Sequence, residues 1–129
     1  MLQSEQIEIP NSVTQIGEYA FKGCPGLHEI KIPNSVTRIG RGFFESCSSL
    51  SSIEISNSVT QIEGTVFHGC TSLKEVHCRI EHIERLKISE DVFDYCNLSE
   101  CTLYVPVGTG YAYRHHPIFS KFKDIIIEK

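Results

Sequence analysis

The sequence predicts a repeat solenoid, strand-rich α/β with short helical turns. It has about three 23-residue repeats, one irregular fourth repeat and a C-terminal cap. Three observations predict this. First, Ile9-Pro10-Asn11-Ser12-Val13-Thr14-Gln15-Ile16-Gly17 returns as Ile32-Pro33-Asn34-Ser35-Val36-Thr37-Arg38-Ile39-Gly40, and again as Ile55-Ser56-Asn57-Ser58-Val59-Thr60-Gln61-Ile62-Glu63, at a step of 23 residues each time. Second, four apolar columns keep the same step: Phe21, Phe44, Phe67; Cys24, Cys47, Cys70; Leu27, Leu50, Leu73; Ile30, Ile53, Val76. Third, every repeat has the same internal order of strand, turn, weaker strand and compact turn. A fixed period of about 20 to 50 residues marks a solenoid, a propeller or an array.

The elements follow in chain order. Gln6-Ile7-Glu8-Ile9-Pro10 matches Glu29-Ile30-Lys31-Ile32-Pro33, so residues 1–10 read as the end of a preceding repeat. Ser4 stands where the frame has leucine. The chain then starts inside a repeat with no polar cap in front, and terminal repeats need caps for solubility. The expectation is a natural protein that continues upstream, and an open N-terminal strand edge that frays or self-associates. Residues 11–78 hold the regular repeats. In Leu27-His28-Glu29-Ile30-Lys31-Ile32 the alternation suits a half-buried strand, with Ile30 and Ile32 inward and Glu29 and Lys31 outward. Pro33-Asn34-Ser35 is a turn, because proline presets φ while Asn and Ser bond their own backbone. Val36-Thr37-Arg38-Ile39 is a second, weaker extended segment with β-branched residues. Gly42-Phe43-Phe44-Glu45-Ser46-Cys47 spans about one helical turn, with Phe44 and Cys47 able to face inward together.

Residues 79–106 form the irregular repeat. Phe67 to Phe93 and Cys70 to Cys96 are both 26 residues apart, so three extra residues lie within Arg79 to Leu86. Ser89 and Asp91 are placed to cap a short helical turn. Cys101-Thr102-Leu103-Tyr104-Val105-Pro106 is a last strand with Leu103 and Val105 inward. Cys101 falls at an outward-type position. Residues 107–129 leave the repeat and read as the C-terminal cap. Tyr111 to Ser120 can hold a short helix broken by Pro117, and Phe119, Phe122, Ile125, Ile126 and Ile127 can cover the open end.

The frame Ile-Pro-x-Ser-Val-x-x-Ile-Gly-x-x-Ala-Phe-x-x-Cys-x-x-Leu-x-x-Ile-x-Ile runs nearly complete from Ile9 to Ile32. It closely resembles the BspA-type (treponemal-type) leucine-rich repeat of bacterial surface proteins. Thr102-Leu103-Tyr104-Val105-Pro106-Val107-Gly108, Tyr111-Ala112-Tyr113-Arg114 and Phe122-Lys123-Asp124-Ile125 resemble the closing segment of that family. Ser56, Glu63 and Val66 depart from the usual Pro, Gly and Ala, which leaves the turn geometry of repeat three open. The resemblance implies a leucine-rich-repeat-like solenoid of stacked strands, a cell-surface or secreted location, and binding to a protein ligand such as a host or matrix protein. It implies no catalytic residues and no cofactor.

Composition agrees with a packed domain and excludes several partners. The 129 residues are 40% hydrophobic and 22% charged, with net charge −4, so no electrostatic footprint for nucleic acid is present. No apolar run approaches the ~18 residues of a membrane span, and Met1-Leu2-Gln3-Ser4-Glu5 does not open a signal peptide. Three of the six cysteines share one repeat position. Stacked equivalents sit about 4.8 Å apart, longer than the ~3.8 Å Cβ separation of a disulfide, so these thiols are expected to be reduced and structural.

Metal and catalytic signals are weak. His68-Gly69-Cys70, His77-Cys78 and His115-His116 lack zinc spacing, and the histidine pair is expected to be solvated. Gly108-Thr109-Gly110 opens like a dinucleotide loop, but Tyr113 occupies the third glycine position. A hidden metal or enzyme site would have to lie in residues 79–92. The candidate protein-binding face is the outward strand column Glu29, Ser52, Glu75 with Lys31, Glu54, His77, which mixes signs and holds no aromatic. The rival reading is a structural spacer that projects another domain.

Overall fold

The structure, a computed structural model, describes residues 6–128. The Ser4 position and the rest of residues 1–5 lie outside them. Two parallel sheets run along the solenoid. The larger joins β1 (Gln6–Glu8), β3 (Glu29–Lys31), β5 (Ser52–Ile55), β7 (Glu75–Cys78), β9 (Thr102–Pro106) and β10 (Asp124–Glu128), in that order. The smaller joins β2 (Gln15–Ile16), β4 (Arg38–Ile39), β6 (Gln61–Ile62) and β8 (Lys87–Ile88). The register follows the frame: Ile30 pairs with Ile53, Ile53 with Val76, Val76 with Leu103, and Ile39 with Ile62. A strand that slipped by one residue would turn its buried side chains outward, so the apolar columns fix this register.

One core fills the interior. Ile16, Ile39 and Ile62 come from the smaller sheet, Ile30, Ile53, Val76 and Leu103 from the larger, and Leu27, Leu50 and Leu73 from the corner between repeats. Phe44, Phe67 and Phe93 stack with centroids 5.5 and 5.3 Å apart and planes within 6°. The repeat column Phe21, Phe44, Phe67 does not stack throughout: it breaks at Phe21. Phe21 is only half-buried and meets Phe44 edge-on at 6.2 Å. Phe43 is the cause: it stands where the frame has Ala20 or Val66, and packs 4.8 Å from Phe21 and 4.6 Å from Phe44.

The expected helical turns are not helices. Tyr19, Gly23, Gly42, Ser46, Thr65, Gly69 and Tyr95 have positive φ. Left-handed residues stop a right-handed helix and turn alternate N–H groups toward the next coil. Tyr19, Phe21 and Gly23 donate to the carbonyls of Arg41, Phe43 and Glu45; Gly42, Phe44 and Ser46 donate to Gly64, Val66 and His68. Each bond runs from one coil to the following one. At Thr65 the acceptor changes: its N–H bonds Asp91 Oδ1 at 3.0 Å, and Ser89 Oγ donates to the same oxygen at 2.9 Å. Asp91 therefore serves the neighbouring coil and caps no helix of its own. Burial alone would raise the Asp91 carboxyl, but these bonds and Arg41 outweigh it and hold the pKa below its ordinary value.

All six cysteines are free. Cys47 Sγ donates to Phe21 O at 3.0 Å, Cys70 Sγ to Phe44 O at 3.2 Å and Cys96 Sγ to Phe67 O at 2.9 Å. The thiol column is thus a set of hydrogen bonds between coils as well as apolar packing. Repeat three keeps its turn despite losing proline. Val59 N–H bonds Ser56 O as Val36 N–H bonds Pro33 O, and the Ser56 hydroxyl also donates to Pro33 O. Glu63, standing where the other repeats have glycine, accepts two bonds from the Arg38 guanidinium.

The three extra residues are taken up before β8, where Ile83–Arg85 forms a 3₁₀ turn, and pairing resumes with Ile62 opposite Ile88. A second 3₁₀ turn, Leu98–Glu100, precedes β9. It carries the partly buried Leu98 to the core and leaves Cys101 buried, not outward. After β9 the five-residue α1 (Gly110–Arg114) buries Tyr113, whose hydroxyl donates to Ile80 O at 2.6 Å. Phe119 and Phe122 bury as the cap requires, but Ile126 and Ile127 do not. Residues 124–128 add another parallel strand to β9 at the end of the sheet, and consecutive residues there point to opposite faces, both of them open to solvent at Ile126 and Ile127. His116 is half-buried rather than solvated, and its Nδ1 accepts the N–H groups of Ile118 and Phe119. Burial lowers its pKa.

Candidate functional site

The outward face of the larger sheet is the candidate site. Cross-strand register places its side chains in two rows. One row runs Glu29, Ser52, Glu75, Thr102, Asp124. The other runs Lys31, Glu54, His77, Tyr104, Ile126. All six residues of the sequence-derived column lie on this one surface. The two rows extend further than that column, and the second contains an aromatic. Tyr104 was legible: Leu103 and Val105 inward makes Tyr104 outward.

Ion pairs lace the face together. Lys31 Nζ lies 4.0 Å from Glu54, and Arg79 bridges Glu54 at 3.5 Å and Glu128 at 3.2 Å. His77 Nε2 lies 3.0 Å from Glu75 and its Nδ1 3.1 Å from Glu128. Its ring stacks on Tyr104 with centroids 4.4 Å apart. Burial pulls the imidazole pKa down, but the hydrogen bonds and charges of Glu75 and Glu128 outweigh burial and set it above its ordinary value. An open groove of about 470 Å³ runs along this face, lined by Glu8, Glu29, Lys31, Glu54, His77, Arg79 and Glu128 among others. The groove is open to solvent, and its lining is mainly charged side chains with the His77 imidazole among them.

Burial pushes the Cys96 thiol up to about 11 and the Cys101 thiol up to about 12, so neither offers a thiolate at neutral pH. Among the described residues no group of three His, Cys, Asp or Glu side chains could hold a metal ion, in residues 79–92 or elsewhere. Among them, too, no helix is long and apolar enough to cross a membrane.

Comparison with known proteins gives the same architecture. A solved leucine rich cell surface protein from Faecalibacterium prausnitzii A2-165 superposes with a TM-score of 0.69 and 27% sequence identity, over 98% of this chain. The chain spans 33% of that protein's length. No curated protein matches. The family model described as the BspA type leucine rich repeat region matches residues 2–112 in six copies. By that match, which covers most of its length, the chain belongs to the BspA-type leucine-rich repeat family.

Proposed function

We propose that this chain is a non-enzymatic, adhesive protein-binding module displayed at a bacterial cell surface, and that its outward sheet face makes the contacts. The observation that carries the proposal is the row Lys31, Glu54, His77, Tyr104, Ile126, which passes from charge through aromatic to aliphatic along one continuous surface. Aromatic anchors with a polar surround are what protein interfaces select. The family match and the cell-surface neighbour support the same reading. The partner is a protein, of host or matrix origin.

The spacer reading has its own support. Lys31, Glu54, Arg79, Glu128, His77 and Glu75 pair with one another, and a face that satisfies its own charges asks little of a partner. Binding to an immobilised panel of collagens and matrix glycoproteins separates the two. Tyr104→Ala should weaken capture about tenfold or more, as a central aromatic does. Lys31→Glu with His77→Glu should weaken it in a salt-dependent way. Capture that survives both changes and is lost on Tyr111→Ala moves the site to the cap. No capture of any panel protein favours the spacer.

A further inference from the structure

The contacts of His77 do more than decorate the face. Both of its ring nitrogens are aimed at carboxylate oxygens, Nε2 at Glu75 and Nδ1 at Glu128. Ionised carboxylates only accept hydrogen bonds, so only the imidazolium, with two N–H donors, can satisfy both. The two contacts differ in reach. Glu75 is two residues away on β7, whereas Glu128 is on β10. Those strands share no ladder, because β9 lies between them. The ring crosses that gap on top of Tyr104, nearly parallel to it at 6°. We propose that His77 is a proton-operated latch that fastens β10, the last strand of the sheet, to β7 across Tyr104.

The groups around the ring define how the latch works. From β7 it faces Glu75, and just beyond that strand Arg79. From β9 it meets the Tyr104 ring, and from β10 the Glu128 carboxylate. β5 contributes Glu54, which reaches the cluster through Arg79 and is itself approached by Lys31 from β3. With His77 protonated, Glu128 is held by two cations. Loss of the proton places a nitrogen lone pair against a carboxylate, and one of the two histidine contacts must open. When the remaining N–H stays on Nε2 with Glu75, its neighbour on the same strand, Arg79 holds Glu128 alone, and the Arg79 side chain is 40% exposed, where ion pairs are weak. The flanking carboxylates raise the imidazole pKa despite burial, so the closed state extends toward neutral pH. For a histidine raised in this way, the added stability is fully present below the ordinary value of about 6.5 and is lost as pH rises through the folded value.

The latch does not rest on the binding proposal, and its test needs no partner. Amide hydrogen exchange of the full chain would be followed from about pH 5.5 to about pH 8.5, with residues 53–55 of β5 as internal reference. The protection factors of residues 125–127, relative to that reference, should fall about three- to tenfold as pH rises. The midpoint should coincide with the His77 imidazole titration followed by NMR. In His77→Gln the ratio should not change with pH. In Glu128→Gln the His77 midpoint should move down, because one of its two carboxylates is gone. A flat ratio in the unmodified chain, an unchanged pH profile in His77→Gln, or an unmoved midpoint in Glu128→Gln would each overturn the latch.

Discussion

Gly42 and Gly69 separate two costs that left-handed turns usually mix. Both have positive φ, +64° and +77°. A Cβ added at Gly69 meets nothing nearer than Ser46 Oγ at 3.6 Å, an ordinary contact. Added at Gly42 it lands 2.3 Å from Tyr19 Cε1 and 2.9 Å from Glu45 Oε1. An L-residue in this conformation costs about 1–2 kcal/mol. Replacing glycine returns roughly 0.4–1 kcal/mol by narrowing the unfolded ensemble. Gly69→Ala should therefore destabilise by about 1 kcal/mol, all of it backbone. Gly42→Ala carries that cost plus about 1–3 kcal/mol to displace the Tyr19 ring. Ser46, in the Gly69 position of the preceding coil, already bears the backbone cost, so Ser46→Gly should stabilise by up to about 1 kcal/mol. Urea unfolding reads all three. With a slope of about 1–3 kcal/mol per molar, Gly69→Ala should lower the midpoint by about 0.3–1 M. If Gly42→Ala is no worse than Gly69→Ala, or if Ser46→Gly destabilises, the account of these turns is wrong.

Three further outcomes are expected. Phe67→Ala empties the middle of the Phe44–Phe67–Phe93 stack and should cost about 3–5 kcal/mol in the same unfolding assay; a loss under about 1 kcal/mol would mean the stack is not a core. Asp91→Ala leaves the Thr65 N–H without its acceptor and should cost about 1–2 kcal/mol at neutral pH. Because the Asp91 pKa is depressed, its contribution is present above the ordinary value of about 4 and is lost as pH falls through the folded value. Variant and parent should thus converge in acid, and a constant difference down to about pH 2 would contradict the assignment. In this 129-residue chain, β1 has a ladder to β3 and no other among the described residues. Its amides should exchange fastest in dilute solution and gain protection at high concentration through edge pairing; fast exchange at every concentration would rule that pairing out.

The periodic part of the fold was legible because it is written as repetition. Ile30, Ile53 and Val76 announce one strand column, and Ile16, Ile39 and Ile62 the other, so register and core follow from counting. The three-residue insertion was located for the same reason, from Phe67–Phe93 and Cys70–Cys96. The turns were misread because Phe44 and Cys47 three apart satisfy a helical pattern equally well. The contrary signal was present in Gly42, Gly23 and Gly69, but Thr65, Ser46 and Tyr95 fill equivalent or neighbouring left-handed positions and mask it. β10 was read as cap because Ile125-Ile126-Ile127 shows no alternation, and its pairing with β9 is decided by contacts far away in sequence. The candidate face was half legible. Strand alternation gave Glu29, Lys31, Ser52, Glu54, Glu75 and His77. Glu128 was out of reach because it joins the face only through β10, and Arg79 because it stands past the strand, where the earlier repeats have the turn residues Pro33 and Ser56.

The one-way hydrogen bonds of the turn column give the molecule an electrical axis. Ladders within the sheets have only small net dipoles. In the turn column the backbone–backbone bonds from Tyr19, Phe21, Gly23, Gly42, Phe44, Ser46, Phe67 and Gly69 all have the N–H in the earlier coil and the C=O in the later one. The peptide dipoles therefore add along the stack, with the positive pole toward the C-terminal end, opposite in sense to an α-helix. A coil joined to the far end meets N–H donors, and one joined to the near end meets carbonyl acceptors. Any identical coil carries the matching set on each side, so length can change by whole units without new chemistry at the junction. The same polarity gives the array a direction: a coil offered in reverse would set donor against donor.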